Sequence, residues 1–222
     1  MESKTIAQDD NETMYTDEAQ AAEEFHKIEI KCIGYDNYVD CSEENYMKTL
    51  EQLRKLIIQI QRLGVFSPNE EISEIPTENL KLLMAPYYQA DLLFRIMDKR
   101  DERVKLAHVF FIEYLRLLNH YELLDKGQEK QWKSYLGKHK VATIQGMKDA
   151  TPEEVKEAQK LMEELKQERP DAVASRDQKI AEFRAKKDIE TALNMLKDYK
   201  DEQMKRDFYM GQIKKSIFVS FE

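Results

Sequence analysis

Proline and glycine are scarce in this sequence, and their scarcity restricts the chain to folds built from long helices. The 222 residues include 6 Gly and 5 Pro, whereas average usage is roughly 7% and 5%. Residues 42–63 contain neither, and apolar side chains recur through them at helical spacing, namely Tyr46, Leu50, Leu53, Ile57 and Ile60. No stretch shows the alternation of apolar and polar residues that a half-buried strand requires. The sequence therefore predicts an all-α fold.

Apolar periodicity and capping residues predict where the helices lie. Ser42 opens one helix and Gly64 closes it, Thr77 opens another, and Pro86 is expected to kink or break that second helix. The expected helices are residues 17–33, 42–63, 77–98, 101–124, 151–169, 175–199 with Ser175 as the cap, and 201–222. Residues 1–16 are expected to be disordered and residues 125–150 to form a looser loop, within one helical domain over 17–222. Antiparallel helix pairs are the natural packing for such elements.

The C-terminal helix pattern does not end before the sequence does. Ile213, Ile217, Phe218 and Phe221 continue an apolar stripe up to the last residues, and no capping residue follows. We expect the sequence to be truncated within a longer protein, with a further C-terminal region missing.

Charge and composition exclude several classes of function. The chain has 43 acidic and 35 basic side chains, a net charge of -8, which argues against nucleic acid as a ligand. The N-terminus lacks the apolar segment of a signal peptide, and no apolar run approaches the roughly 18 residues of a membrane span. The cysteines, Cys32 and Cys41, show no metal-ligand spacing and are expected to be reduced. We therefore expect a cytoplasmic location, with the nucleus as a second compartment, and no membrane partner.

The residues most suited to catalysis or metal binding form no convincing site. Glu23 and His26 have the spacing of half a helical di-iron site, but the other half is missing. Glu113 and His120 lie two helical turns apart, without a phosphate-binding loop or a nucleophile motif elsewhere. Trp132 is flanked by polar residues and is expected to pack at an edge. The sequence therefore predicts no catalytic residue, no metal and no cofactor.

A locally basic segment, residues 174–190, is the best candidate for a binding site. At about 100° per residue, a helix here places a core seam on one side, formed by Ala181, Ala185, Ile189, Ala192 and Leu196. The opposite side carries Arg176, Lys179, Ile180, Phe183 and Lys187. Composition favours a solvated charged face whose two apolar residues pack on a neighbouring helix. The alternative is an exposed basic patch with an apolar anchor, which would bind an acidic partner.

Two stretches resemble a known family. The sequence LGVFSPNEEISEIPTENLKLLMAPYYQADL (residues 63–92) and the sequence SRDQKIAEFRAKKDIETAL (residues 175–193) are similar, in order and separation, to two segments of the TOR-pathway type 2A phosphatase-associated proteins, the alpha-four family. The second follows the family pattern R-x-x-KI-x-x-[FY]-[KR]-x-KK-x-[IL]-E. The resemblance covers most of the chain from about residue 17.

The resemblance implies a fold and a function. It implies a tetratricopeptide-like and 14-3-3-like domain of about seven helices, followed in the family by a C-terminal region. It implies a non-catalytic regulator and chaperone in TOR-linked signalling, which is a monomer when free. Its partners would be the catalytic subunits of type 2A, 4 and 6 class Ser/Thr phosphatases. The family's phosphatase-binding residues correspond to Arg176 and Lys179, with Ile180, Phe183, Arg184, Lys186 and Lys187 as possible support.

Two other functions stay open on sequence alone. One is a general helical adaptor that binds other signalling proteins or peptides. The other is a helical enzyme, which would need a buried carboxylate or histidine cluster that the sequence does not reveal.

Overall fold

The regular structure of this protein is helical throughout the part of the chain that the structure describes. A computed structural model describes residues 5–67, 69–146, 151–153, 155, 156, 159, 160, 163, 172–196, 198 and 200–221. The elements are α1 (Thr5–Asp36), α2 (Glu43–Leu63), α3 (Thr77–Leu80), a 3₁₀ helix (Lys81–Met84), α4 (Ala85–Arg95), α5 (Arg100–His120), α6 (Lys126–Gly146), α7 (Ala172–Leu196) and α8 (Glu202–Phe221). Seven of these helices, counted over the described residues, have 11 residues or more. The predicted all-α fold of about seven helices is confirmed.

Neighbouring helices pack as antiparallel pairs. Tyr35, near the end of α1, donates a hydrogen bond to the backbone oxygen of Asn45 near the start of α2, while the earlier Lys31 reaches the later Gln52 at 2.8 Å. The pairs α4–α5, α5–α6 and α7–α8 also pack together and are joined by short connections. Because each connection is short, the second helix of a pair packs beside the first and runs in the opposite direction.

Helix α8 belongs to the core rather than to the surface. Its residues Tyr209, Ile213 and Ile217 are buried in the same cluster as α1, α2, α4 and α5. Arg206 fixes its first turn, because its guanidinium donates hydrogen bonds of 2.8 and 2.6 Å to the carbonyl oxygens of Ile75 and Ile72. Each apolar side chain buried in this way contributes about 1.5–3 kcal/mol relative to its exposed state.

Several helix ends follow the sequence signals. The Ser42 hydroxyl accepts a hydrogen bond of 3.2 Å from the Asn45 amide, and Gly64 closes α2 in the left-handed region at φ 64°. Pro86 lies in the first turn of α4, directly after the 3₁₀ helix. The predicted interruption at Pro86 is therefore confirmed, since proline is tolerated at a helix start but not in its interior.

The N-terminal and C-terminal halves contain helix where the sequence predicted none. Helix α1 begins at Thr5, so the prediction for residues 1–16 is wrong from Thr5 onward; no proline or glycine interrupts the chain before Gly34. Helix α7 likewise begins at Ala172, so Ser175 is a residue of the helix and not its cap. The described residues of 152–163 are helical, and the remainder of the helix predicted over 151–169 lies outside the described residues.

The predicted loop over 125–150 is α6 for most of its length, which is a further correction. Asp125 caps the helix, since its carboxylate accepts hydrogen bonds of 2.7 and 2.9 Å from the amides of Gly127 and Gln128. The Gln128 side-chain oxygen in turn accepts a hydrogen bond of 3.1 Å from the Asp125 amide, which completes a reciprocal cap. The preceding helix ends earlier than predicted, at His120, because Glu122 adopts a left-handed conformation at φ 55°.

Candidate protein-binding face

Helix α7 exposes basic and apolar side chains together along one side. We call this the outer face of α7; it consists of Arg176, Lys179, Ile180, Phe183 and Lys187. All of its residues are exposed, and Phe183 presents 68% of its surface to solvent. Composition had favoured packing of Ile180 and Phe183 on a neighbouring helix, and for Phe183 that interpretation is wrong.

The side of α7 that packs on α8 differs from the predicted seam. Ala181 and Ala192 are exposed, whereas Ala185, Ile189 and Leu196 are half-buried. Among the residues of α7 whose burial is described, Leu193 is the most buried, followed around the same side by residues 182 and 186, which are half-buried. At about 100° per residue, this packed side is turned roughly 60° from the predicted seam toward the outer face. Small alanines suggested a buried seam, but the long stems of charged residues pack there instead.

Two contacts near the C-terminal end of α7 hold the helix on α8. A Cβ atom built on Gly211 would lie 2.9 Å from Cδ2 of Leu193, so the Leu193 side chain packs directly on the backbone of α8 at this point. One turn away, Lys215 Nζ lies 3.1 Å from Glu190 Oε1. Both contacts lie in the last third of α7, whereas Arg176 and Lys179 lie in its N-terminal half.

A cleft of about 550 Å³ opens beside the outer face, between α6, α7 and α8. Its floor is aromatic, because the rings of Tyr135 and Phe221 stack at 5.9 Å and the Tyr135 hydroxyl donates a hydrogen bond of 3.3 Å to the Phe221 carbonyl oxygen. The remaining walls come from Gln128, Gln131, Lys179, Glu182, Phe183, Lys186 and Phe218. Lys179 and Phe183 thus belong both to the outer face and to the cleft.

The basic residues of α7 differ in how far they are already engaged. Arg176 and Lys179 are exposed and take part in none of the ion pairs found among the described residues. Arg184 and Lys187 are also exposed. Lys186 is half-buried and already interacts within the chain. Arg176 and Lys179 are therefore available to an outside carboxylate without first losing an internal one.

The candidate metal ligands Glu23 and His26 already contact charged side chains of their own helix. Glu23 Oε1 lies 2.8 Å from Lys27 Nζ, and His26 Nδ1 lies 3.4 Å from a carboxylate oxygen of Glu29. In the described ranges, no three side chains of His, Cys, Asp or Glu are grouped as metal ligands would be. Both cysteines are free thiols, Cys32 buried and Cys41 exposed. Among the described helices, none is long and apolar enough to cross a membrane.

Glu113 and His120 share a second, shallower cleft of about 370 Å³. Glu113 already contacts Arg116 at 3.5 Å. Both Glu113 and His120 are exposed, so neither has the buried environment that is typical of a catalytic acid or base. Trp132, expected at an edge, is instead buried in the core cluster.

Sequence reasoning did not identify Tyr135, Phe218 and Phe221 as site residues. The signal that could have found two of them was present, since Phe218 and Phe221 continue the apolar stripe of α8 past Ile217, the last buried residue of that helix. Tyr135 carried no such signal, because the segment around it was expected to be a loop.

Similar proteins share both the sequence pattern and the fold. PP2A regulatory subunit TAP46 of Oryza sativa subsp. japonica is 25% identical over 161 residues, which cover 72% of this chain and 31% of that protein. Immunoglobulin-binding protein 1 family member C of Homo sapiens is 26% identical over 188 residues, covering 81% of this chain and 49% of that protein. The chain thus spans about a third to a half of the length of these relatives.

A solved structure, that of the Tap42 alpha4 subunit, has the same helical fold, with a TM-score of 0.60 over 90% of this chain and 91% of that chain at 20% identity. The match to a family of sequences is broader still, since it includes both motifs and runs from residue 18 to residue 222. The chain therefore belongs to the TAP42-like family.

Proposed function

We propose that this protein is a non-catalytic regulatory subunit that binds the catalytic subunit of type 2A class Ser/Thr phosphatases through the outer face of α7. The observation that carries the proposal is the joint exposure of Arg176, Lys179 and Phe183 on one side of the helix, with neither cation in an ion pair among the described residues. Membership of the TAP42-like family and a relative named a PP2A regulatory subunit supply the class of partner.

The two cations have complementary roles in this proposal. The guanidinium of Arg176 binds a carboxylate of the phosphatase through two parallel hydrogen bonds, and the ammonium of Lys179 acts as a point charge one turn away. Both side chains are desolvated when the partner covers them. Removing one member of such a buried charge pair costs about 2–5 kcal/mol, because the other charge is left unpaired.

As a regulatory subunit, the domain would need only to bind the catalytic subunit and protect it. By covering exposed surface on a partly folded or inactive catalytic subunit, it would shield that subunit from aggregation and degradation, as a chaperone does. A ligand that binds one state selectively stabilises that state by mass action. The expected consequence is a longer lifetime of the free catalytic subunit in the presence of this domain, measured by limited proteolysis of the purified subunit.

The test of the binding site is a titration of purified type 2A catalytic subunit by calorimetry. The variant Arg176→Asp with Lys179→Asp should bind at least about 30-fold more weakly than the wild type, with unchanged helix content. Arg54→Asp with Lys105→Asp is the matched control, because it makes the same charge change at exposed positions of α2 and α5. Equal affinities of the wild type and the α7 variant would refute the assignment of the site.

Two further outcomes separate this proposal from the adaptor hypothesis. If the wild type binds no catalytic subunit of the type 2A, 4 or 6 classes, the adaptor function is favoured. The link to TOR signalling, implied by the family resemblance, is tested in cells: inhibition of the TOR kinase should change the amount of catalytic subunit captured with the protein, and an unchanged amount would contradict it.

A further inference from the structure

We infer that the cleft between α6, α7 and α8 is the specificity pocket of this interface, and that it receives one apolar side chain from an acidic segment of the phosphatase catalytic subunit. The inference rests on the proposed function and adds a second element to it, which is an apolar anchor beside the charged contacts. It predicts that the bound segment carries a bulky apolar residue within one helical turn of its carboxylates.

The shape of the cleft fits an inserted side chain. Its volume of about 550 Å³ lies within the range of roughly 300–1,000 Å³ found for ligand pockets. Tyr135 and Phe221 form the floor through their stacked rings, and Phe218 and Phe183 add aromatic walls. Phe183 is the most exposed of these aromatic residues. An inserted side chain would therefore bury more apolar surface on Phe183 than on the other rings, and that burial favours binding.

The rim of the cleft favours an acidic occupant, since its charged lining residues are Lys179, Lys186 and Glu182. Lys179 lines the cleft and also lies on the outer face, so one cation belongs to both parts of the site. Arg176 lies nearly one turn before it on the same exposed side. A segment whose carboxylates bind Arg176 and Lys179 must therefore pass the mouth of the cleft. The chain as a whole carries a net charge of -8, so a second copy of it would be repelled overall rather than drawn to this position.

The charged and apolar parts should affect the kinetics of binding differently. A charge that is buried on binding acts on the dissociation rate and, through long-range attraction, also on the association rate and its dependence on salt, whereas a neutral apolar anchor acts on the dissociation rate. Lys179→Ala should therefore speed dissociation and also slow association, with a reduced salt dependence. Phe183→Ala should leave association nearly unchanged and speed dissociation by about 10-fold to 100-fold, as for an interface hot spot.

The deciding experiment fills the cleft without changing any charge. Gln131→Trp places a large ring in the cleft wall, and its affinity for purified type 2A catalytic subunit is measured by surface plasmon resonance beside that of Phe183→Ala. Gln59→Trp, at a half-buried position of α2, is the matched control. We expect Gln131→Trp to weaken binding by about 10-fold or more and Gln59→Trp to leave it unchanged, while circular dichroism shows equal helix content for both.

The possible outcomes separate this inference from the proposed function. Binding by the wild type that is lost in the Arg176 and Lys179 double variant but unchanged in both Gln131→Trp and Phe183→Ala would overturn the cleft alone. No binding by the wild type would overturn both. Concentration-dependent dimerisation of the free protein that Gln131→Trp abolishes, with phosphatase affinity unchanged, would assign the cleft to a second copy and also overturn the inference. If Gln131→Trp is misfolded, the dissociation rate of Phe183→Ala decides.

Discussion

Leu193 of α7 packs directly against Gly211 of α8. The absence of a side chain at Gly211 leaves room for the isobutyl group of Leu193, since a Cβ atom there would stand 2.9 Å from Cδ2 and 3.4 Å from Cγ. Leu193 is also more buried than any other residue of known burial in α7, the helix that carries the candidate binding face. The position of that face therefore depends on a contact that lies nearly three turns beyond Phe183 along the helix.

Leu193→Ala should loosen α7 and weaken partner binding indirectly. Truncation of a buried leucine costs about 2–5 kcal/mol when the surroundings cannot collapse, and one-sided burial places Leu193 near the lower figure. Hydrogen exchange should show faster exchange of α7 amides, with α4 and α5 unaffected. Ile180→Ala, at an exposed position of the same helix, serves as the control for local stability. Unchanged protection of α7 in Leu193→Ala would show that other contacts hold the helix.

The hydrogen bond between Tyr114 and Ser216 connects α5 to α8 inside the core. Their hydroxyl oxygens are 2.6 Å apart, and Tyr114 is fully buried. Tyr114→Phe should lower the free energy of unfolding by only about 1 kcal/mol, because the Ser216 hydroxyl still donates a bond of 2.8 Å to the Ile213 carbonyl oxygen. Tyr114→Ala should cost about 3–5 kcal/mol, as for other buried aromatic residues. Urea denaturation of the two variants measures the difference, and equal losses would contradict this division between hydrogen bond and packing.

Gly64 provides a test of helix termination that is free of packing effects. Its φ of 64° is left-handed, and a Cβ atom built on it meets nothing within 4 Å. Gly64→Ala should therefore cost about 1–2 kcal/mol through backbone strain alone. Gly64→Asn should cost less, because asparagine tolerates this conformation. Thermal unfolding of both variants ranks them, and an alanine variant as stable as the wild type would show that the end of α2 has rearranged.

Sequence patterns predicted some of these elements and not others, for physical reasons. Helix α2 was predictable because its stripe, Ser42 and Gly64 are local signals that agree. Helix α6 was not, because Gly137 suggested a loop, whereas in the folded protein Gly137 is buried and Trp132 packs in the core. Tertiary burial of this kind overrides local propensity.

The candidate site was likewise only half predictable. The outer face of α7 follows from helical spacing within one segment, and the family pattern singled out Arg176 and Lys179 from it. The cleft joins Tyr135, Phe183 and Phe221, which lie far apart in sequence, and only the relative placement of three helices brings them together. The turn of the packed side of α7 toward residue 186 was also invisible, since a helical wheel shows which residues share a side but not which side is buried.

Glu29 should make the stability of the fold depend on pH. Burial raises the pKa of its carboxyl group above the ordinary value of 4.5, while His26, Lys81 and Tyr88 act in the opposite direction. Its Oε1 atom has no hydrogen-bond partner among the described residues. An acid with a raised pKa binds its proton more tightly in the folded than in the unfolded state. The free energy of unfolding therefore falls as the pH rises from about 4.5 to the folded pKa, and the loss is constant above it.

Glu29→Gln should remove this loss. The free energy of unfolding of the variant relative to the wild type should rise with pH from about 4.5 upward and then level off, as measured by urea denaturation in steps up to about pH 8. The diagnostic quantity is the slope of this free-energy difference against pH. Loss of the attraction between Glu29 and Lys81 shifts the whole curve without changing its slope. Glu23→Gln is the matched control: the exposed Glu23 pairs with Lys27, which lowers the pKa of Glu23. Its difference from the wild type should therefore change only below about pH 4.5, with the opposite slope, and stay flat above it. Parallel profiles for the wild type and Glu29→Gln would mean that Glu29 stays ionised at no cost to the fold.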